Sequence, residues 1–406
     1  MTSDNDPRPV AGILHGVRVI DFTQALSGPY CTLMLADLGA DVIKVERPTI
    51  GDDARHWGPP FVGKDAAYFV SVNRSKRSTT FDLKNPDDID KIKTLIGTAD
   101  VVVENWRPGT ADRLGIGADA MRAVNPRLIY CSISGFGQDK GSLSGYDQIV
   151  QGTSGTMSLT GPTGHPTKWG IPVADIAAGM FAATSVIAAL YERHTSGLGR
   201  TIDIAMQDCL IAMLTHQATR YLATDMLPPN DYNGHSTIAP YGLFTTADGY
   251  VNICVGNDSQ YTRMCTVLGF TDLAEDSRYQ TNPQRLQHRD ELLSALQHRL
   301  MELSTRDIIE ALESCGVPVG PVRSLDQVFT DAGVEDRGML LTIDVPGHGP
   351  ARMPNGPWKF DGQSAIARNA PPALGEHTDE VLAEIGVLDG QGIREFAGSV
   401  PEKVNR

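Results

Sequence analysis

The sequence is short of positive charge. Its 35 lysines and arginines stand against 49 aspartates and glutamates, for a net charge of −14. That balance argues against a nucleic-acid surface as the protein's main business, although it leaves room for a local basic pocket that takes a small polyanion. Paired cysteines are also missing: Cys31, Cys131, Cys209, Cys254, Cys265 and Cys315 are scattered without a CxxC. Reduced thiols and a cytoplasmic home are expected. The ten histidines show no HxxxH or HExxH spacing, so no metal site is expected. The polar start, Met1 to Pro9, reads as a loose tail without a signal-peptide core. No internal repeat stands out. What remains, 41% hydrophobic and 21% charged over 406 residues, fits a soluble chain of two domains or one large domain with an insertion.

The first half of the chain alternates strand and helix. Gly16–Phe22 reads as a buried strand, Gln24–Pro29 as a turn, Tyr30–Leu38 as a helix and Asp41–Glu46 as a second strand. Strand, helix and strand at this spacing make a right-handed parallel unit. Its first turn lacks GxGxxG, which weakens a dehydrogenase reading. Ser78–Leu83 continues as strand, and Asn85 caps a helix that begins at Pro86. Ala99–Glu104, Leu128–Ser134 and Arg200–Ala205 are further strands, with a helical stretch over Ala111–Val124. The fold class is α/β: a doubly wound parallel sheet in residues 1–209. Residues 210–330 change character and read as a smaller α+β domain. Its strand pair Tyr241–Val255 turns at Asp248-Gly249, and Ser304 caps a later helix; Pro228 and Pro229 mark a loop. Residues 331–406 return to the large domain, with a last helix from Thr378 to Gly386.

The chain is organised around Thr167–Met180. There Pro172 starts a long apolar helix, and Asp175 is the one charge between Val173 and Tyr191. Ala174, Ala177, Ala178 and Gly179 surround it with small side chains. Asp175 either complements the helix start or is a carboxylate open to a closely approaching ligand, kept ionised by the helix N-terminus. The helix is long enough to cross a bilayer but holds an aspartate, so burial in protein is expected and no membrane partner.

Cations gather after the first strands: Lys44 and Arg47; Arg74, Lys76 and Arg77; Arg107 and Arg113. Ligands of doubly wound sheets bind beyond the carboxyl ends of the strands, so these residues are placed to meet phosphates, or are simply solvated surface charges. Trp106 could cover an adenine ring or pack.

Several stretches resemble the family III CoA-transferases, the CaiB/BaiF type, whose fold is shared with the α-methylacyl-CoA racemases. They are Asp21-Phe-Thr with Gly28-Pro29, Leu38–Arg47, Asn73–Ser78, Val103-Glu-Asn with Pro108-Gly, Asp112–Gly115, Ser134–Gly137, Ala205–Asp208, Gly316–Val322 and Leu374–Leu382. The likeness runs over about residues 14 to 385. It implies an acyl-accepting role for Asp175 and CoA contacts from Ala25, Leu26, Ser27, Arg47, Lys76, Asn105, Trp106 and Arg113. It also implies an interlocked homodimer, a CoA thioester as substrate with no permanently bound cofactor, and a carboxylic acid as acceptor. The formyl-CoA:oxalate members carry a glycine run in a closing loop. Here Gly256–Gln260 stands in a comparable region, a pattern more like members that use succinyl-CoA and dicarboxylates. The alternative within the likeness is a racemase. Those enzymes use a histidine in a Gly-His-Asp segment; Tyr146 stands there in this chain, beside Asp147. A tyrosine is a poor proton shuttle at neutral pH.

Overall fold

The computed structural model describes residues 12–141, 143–162, 164–228, 233–364, 368–389 and 392–393. The expected N-terminal tail and Pro229 lie outside them. The chain divides into two compact units. One takes residues up to 154, 170–214 and from 333 on; the other takes 155–169 and 215–332. Residues 155–169 therefore fall with the second unit, whereas their sequence placed them in the first.

The larger unit is a six-stranded, all-parallel sheet. Its strands are β1 (Arg18–Asp21), β2 (Asp41–Glu46), β3 (Lys76–Thr80), β4 (Val101–Glu104), β5 (Ile129–Ser134) and β6 (Thr201–Ala205). Their order across the sheet is β3-β2-β1-β4-β5-β6. The order reverses between β1 and β4, the place where doubly wound folds open a crevice. Strands such as Val101-Val102-Val103 are apolar on both faces because both faces are covered. Val19, Val42 and Val101 pack on one side with Cys31, Ala178 and Ala182. Ile20, Ile43 and Val102 pack on the other with Ile92, Leu95 and Tyr130. Each such fully buried Val or Ile contributes roughly 1.5–3 kcal/mol.

Two helices pack against each other on the first of these faces. α1 (Ser27–Asp37) begins two residues before Pro29, inside the stretch expected to be a turn. α5 (Val173–Ser196) is the long apolar helix, started at Pro172 as anticipated. Between them in sequence run α2 (Ala67–Val72), α3 (Pro86–Gly97) and α4 (Asp147–Thr153). Asn85 caps α3 by accepting the Asp87 N–H, and Pro86 fills the first turn. α1 and α5 touch closely at Gly179. A Cβ there would stand 2.8 Å from the Ser27 carbonyl oxygen, so a larger residue would push Ser27 away. The expected helical stretch Ala111–Val124 is two short helices, Thr110–Arg113 and Ala118–Val124, broken at Gly115, whose φ is +70°. The C-terminal helix Thr378–Glu384 ties back to the sheet, where Glu384 takes Arg18 at 2.8 Å and Arg77 at 2.7 Å.

The second unit holds a three-stranded antiparallel sheet, with Tyr250–Cys254 between Tyr241–Thr245 and Val319–Pro321. The last of these, rich in Gly and Pro, carried no strand signal. Phe244, Val251 and Ile253 pack against Leu292, Leu296, Ile308 and Leu312 from its helices. Ser304 caps Thr305–Ser314 by accepting the Asp307 N–H. Asn257 caps Asp258–Val267, and Gln260 in turn accepts the Gly256 N–H at 2.7 Å. Gly256–Gln260 is thus the reciprocally bonded start of a helix.

Candidate active site

A cleft of about 260 Å³ opens beyond the carboxyl ends of β1 and β4, lined by the larger unit alone. Gln24, Ala25 and Ser27 follow β1; Asn105, Trp106 and Arg107 follow β4; Ser134 and Gly135 close β5. The first wall is held by side chains. Asn105 accepts the Gln24 N–H and donates to the Gln24 carbonyl, both at 2.8 Å. The Lys44 ammonium donates to the Thr23 carbonyl at 2.7 Å and pairs with Asp52 at 2.9 Å, both side chains fully buried. Asp52 then accepts the Ala25 N–H at 3.1 Å, with Ala25 at a φ of +64°. A left-handed alanine costs about 1–2 kcal/mol, so this backbone is imposed by its partners.

Asp175 is the third residue of α5, and its carboxyl group reaches the cleft. Burial pushes its pKa up to about 7, and the Asp147 carboxylate adds to the rise. The Ser27 hydroxyl and backbone N–H pull the other way. Desolvation and a like charge thus work against the ionisation that the helix N-terminus was expected to favour. Tyr68, from α2, lines the same cleft and meets Trp57 edge-on at 5.1 Å between centroids. Burial, then Asp175, Asp147 and Asp52, push its hydroxyl up to about 12, so it remains a donor at neutral pH. Glu104, buried at the end of β4, accepts the Trp106 N–H at 2.8 Å; burial pushes its pKa up to about 7. It fixes where Trp106 leaves the strand, and Trp106 then rests against Phe22 at 5.3 Å.

Of the residues expected at a site, Ala25, Ser27, Asn105, Trp106 and Asp175 line the cleft. Leu26 is buried with Leu33 and Val72 instead. Arg47 is half exposed and bonded to the Gly51 carbonyl and to Asp53; Asp53, not Arg47, is on the wall. Arg113 takes the Thr110 hydroxyl at 2.9 Å and stands outside the lining. Lys76 is the clear departure. It lies inside β3, has no exposed side-chain surface, and donates to Asp21 (3.1 Å), Thr32 (2.8 Å), Asn73 (2.9 Å) and the Pro29 carbonyl (3.0 Å). All its hydrogens are engaged away from the cleft. Burial draws its pKa down to about 8 against the pull of Asp21. The structure adds Arg107, Trp57, Tyr68 and Tyr146 to the lining. Arg107 was visible as one of the cations after a strand and Tyr146 as the residue at the racemase histidine's position; Trp57 and Tyr68 carried no periodic signal. Among the described residues no group of three or more His, Cys, Asp or Glu is placed to hold a metal ion.

A family model described as CoA-transferase family III matches residues 14–378. The succinate–glutarate CoA-transferase of Agrobacterium fabrum is 41% identical over 392 residues, covering 93% of this chain and 96% of its own length. The succinyl-CoA:glutarate CoA-transferase of Homo sapiens is 37% identical over 387 residues, covering 94% and 88%. The crystal structure of a CaiB/BaiF family protein from Brucella suis matches with a TM-score of 0.82 at 38% identity, over 92% of this chain and 100% of that one.

Proposed function

The chain belongs to CoA-transferase family III, and from that premise we propose that it moves CoA between small dicarboxylic acids with Asp175 as the acyl acceptor. The observation that carries this is the carboxyl group of Asp175 in the cleft at the sheet's switch point, beside donors from Ser27. The Asp175 carboxylate attacks the donor thioester; the C–S bond breaks, leaving a mixed anhydride and CoA thiolate. The thiolate attacks the aspartyl carbonyl, the donor acid departs as carboxylate, and an aspartyl-CoA thioester remains. The acceptor carboxylate then attacks that thioester, giving a second anhydride and thiolate. Attack by the thiolate on the acceptor's acyl carbon releases the new acyl-CoA and restores Asp175. No net water or proton is consumed, and one hard exchange becomes a series of easier ones. The Ser27 N–H and hydroxyl are donors suited to the developing oxyanion. Four- and five-carbon dicarboxylates are preferred on the strength of the names its relatives carry. The deciding test mixes succinyl-CoA with glutarate and reads glutaryl-CoA by mass spectrometry; no CoA movement with any dicarboxylate overturns the reading.

CoA phosphates belong near Arg107, which lines the cleft, with Arg47 and Arg113 at its margin. Charge-assisted contacts of this kind shift affinity by about ten- to hundredfold. Arg107→Ala is expected to weaken CoA binding by that factor in calorimetry, and an unchanged affinity would remove it from the site. A cytoplasmic homodimer is part of the same proposal. Along α5, Met180 is 49%, Phe181 43% and Tyr191 81% exposed, apolar surface suited to a second copy. Light scattering is expected to return twice the chain mass of 43.8 kDa; a stable monomer at micromolar concentration would refute it.

A further inference from the structure

We propose that Asp147 is a positioning residue for Asp175, its carboxylate acting both as the missing cap of α5 and as a fixed negative charge that favours acylation of Asp175. This rests on the reading of Asp175 as acyl acceptor. Pro172, at the cap position of α5, has no side-chain acceptor to offer. The first-turn N–H groups must therefore be met from elsewhere. Val173 donates to the Ile171 carbonyl at 2.8 Å, and Ile176 to the Pro172 carbonyl at 3.1 Å. Ala174, the residue immediately before Asp175, donates to Asp147 Oδ1 at 2.9 Å. The other oxygen of Asp147 accepts from Gln151 Nε2 at 2.8 Å, one turn along α4. Gln151 has no exposed surface, and the same Nε2 lies 3.5 Å from the Ile171 carbonyl. Both oxygens of Asp147 are thus spoken for, and a swing to carry protons would uncap the helix that holds the nucleophile.

The charge has a second consequence. Asp175 is faced by Asp147 from α4, by Tyr68 from α2 and by the Ser27 donors from α1. Asp147 is the anion of that set, and it repels Asp175 only while Asp175 is ionised. In the anhydride and in the aspartyl-CoA thioester, residue 175 is neutral and the repulsion is gone. A fixed neighbouring anion therefore raises the free carboxylate relative to the acylated forms, and makes that carboxylate more basic.

The experiment compares wild type, Asp147→Asn, Asp147→Ser and Asp147→Ala. Each is mixed with succinyl-CoA between pH 5 and 9, and the CoA adduct on the protein is followed by intact mass. Asparagine and serine can still accept the Ala174 N–H but carry no charge; alanine does neither. With the charge removed, Asp175 ionises at lower pH. The acid limb of adduct formation should move down by on the order of one pH unit in both Asp147→Asn and Asp147→Ser. The equilibrium fraction of adduct should fall severalfold, because the free carboxylate is no longer destabilised. Asp147→Ala should show the same shift plus a lower melting temperature than either. An acid limb and adduct fraction unchanged in Asp147→Asn and Asp147→Ser overturn the proposal. Adduct that survives Asp175→Ala, or none on wild type, overturns the acyl-acceptor reading itself and this inference with it.

Discussion

Asp175→Ala should abolish acyl transfer, by several orders of magnitude in kcat, while the variant still folds and binds CoA. The size follows from what a lost nucleophile removes: the carboxylate that forms the anhydride is gone, and binding and orientation remain. Single-turnover transfer from succinyl-CoA, with calorimetric CoA binding as control, decides it; turnover within tenfold of wild type would exclude Asp175. Loss of activity should come with a gain in stability. The folded protein holds the Asp175 proton up to about pH 7 against an ordinary 3.8, so ionisation of this group subtracts from stability as the pH rises between those values. Asp175→Asn removes that penalty. Its melting temperature should equal the parent's below about pH 4, pull ahead between 4 and 7, and keep a constant lead above 7. A three-unit difference corresponds to roughly 4 kcal/mol at most, and less for a carboxyl group that keeps some solvent contact.

Lys76→Met should destabilise the fold by about 3–5 kcal/mol and leave the CoA affinity of the folded fraction where it was. The side chain is fully buried and paired with a fully buried Asp21. Burial pushes Asp21 up, but Lys76, Lys44 and two threonine hydroxyls outweigh it and bring its pKa down to about 2. Removing the ammonium strands a charge that must then be protonated or hydrated inside the sheet. The double variant Asp21→Asn with Lys76→Met should recover part of the loss, since no charge is left unpaired. Urea midpoints and CoA titrations separate the outcomes. Unchanged stability with a tenfold weaker CoA affinity would return Lys76 to the ligand site.

Asp175 was legible because everything around it is small or apolar and Pro172 marks the helix start; the pattern itself sets the residue apart. The alternating strands were legible for the same kind of reason, since Val101-Val102-Val103 is a short apolar run and Val42, Ile43 and Val45 cluster within Asp41–Glu46. Lys76 was expected at the site from the family likeness and from its place among the cations between strands, and strand ends inferred from pattern drift by a residue or two. β3 begins at Lys76 and not at Ser78, which turns a cation expected ahead of a strand into its buried first residue. The part played by Asp147 was out of reach, as the residue it caps lies 27 positions away. Trp57 and Tyr68 come from irregular chain and a short helix after β2, and only the assembled sheet brings them to Asp175. Among the residues that the family likeness implied as CoA contacts, burial separates Ala25 and Asn105, which face the cleft, from Leu26 and Lys76, which do not.

The wall at Thr23–Ala25 has a bearing on how the protein is made. Its bonds join residues 81 positions apart at Asn105 and 27 apart at Asp52. The Asp52 bond waits for β1 to find β2, the Asn105 bonds for β1 to find β4, and a left-handed Ala25 has no reason to persist before its partners arrive. Competence to bind is therefore a late acquisition of the folding chain, because contacts this distant in sequence close only after the loops between them have been ordered. A nascent or partly unfolded chain presents no half-formed version of the wall to a thioester. Ligand present during refolding pulls only on the finished sheet, and its stabilisation, growing as RT ln(1 + [L]/Kd), is shared by the whole unit and not by one loop.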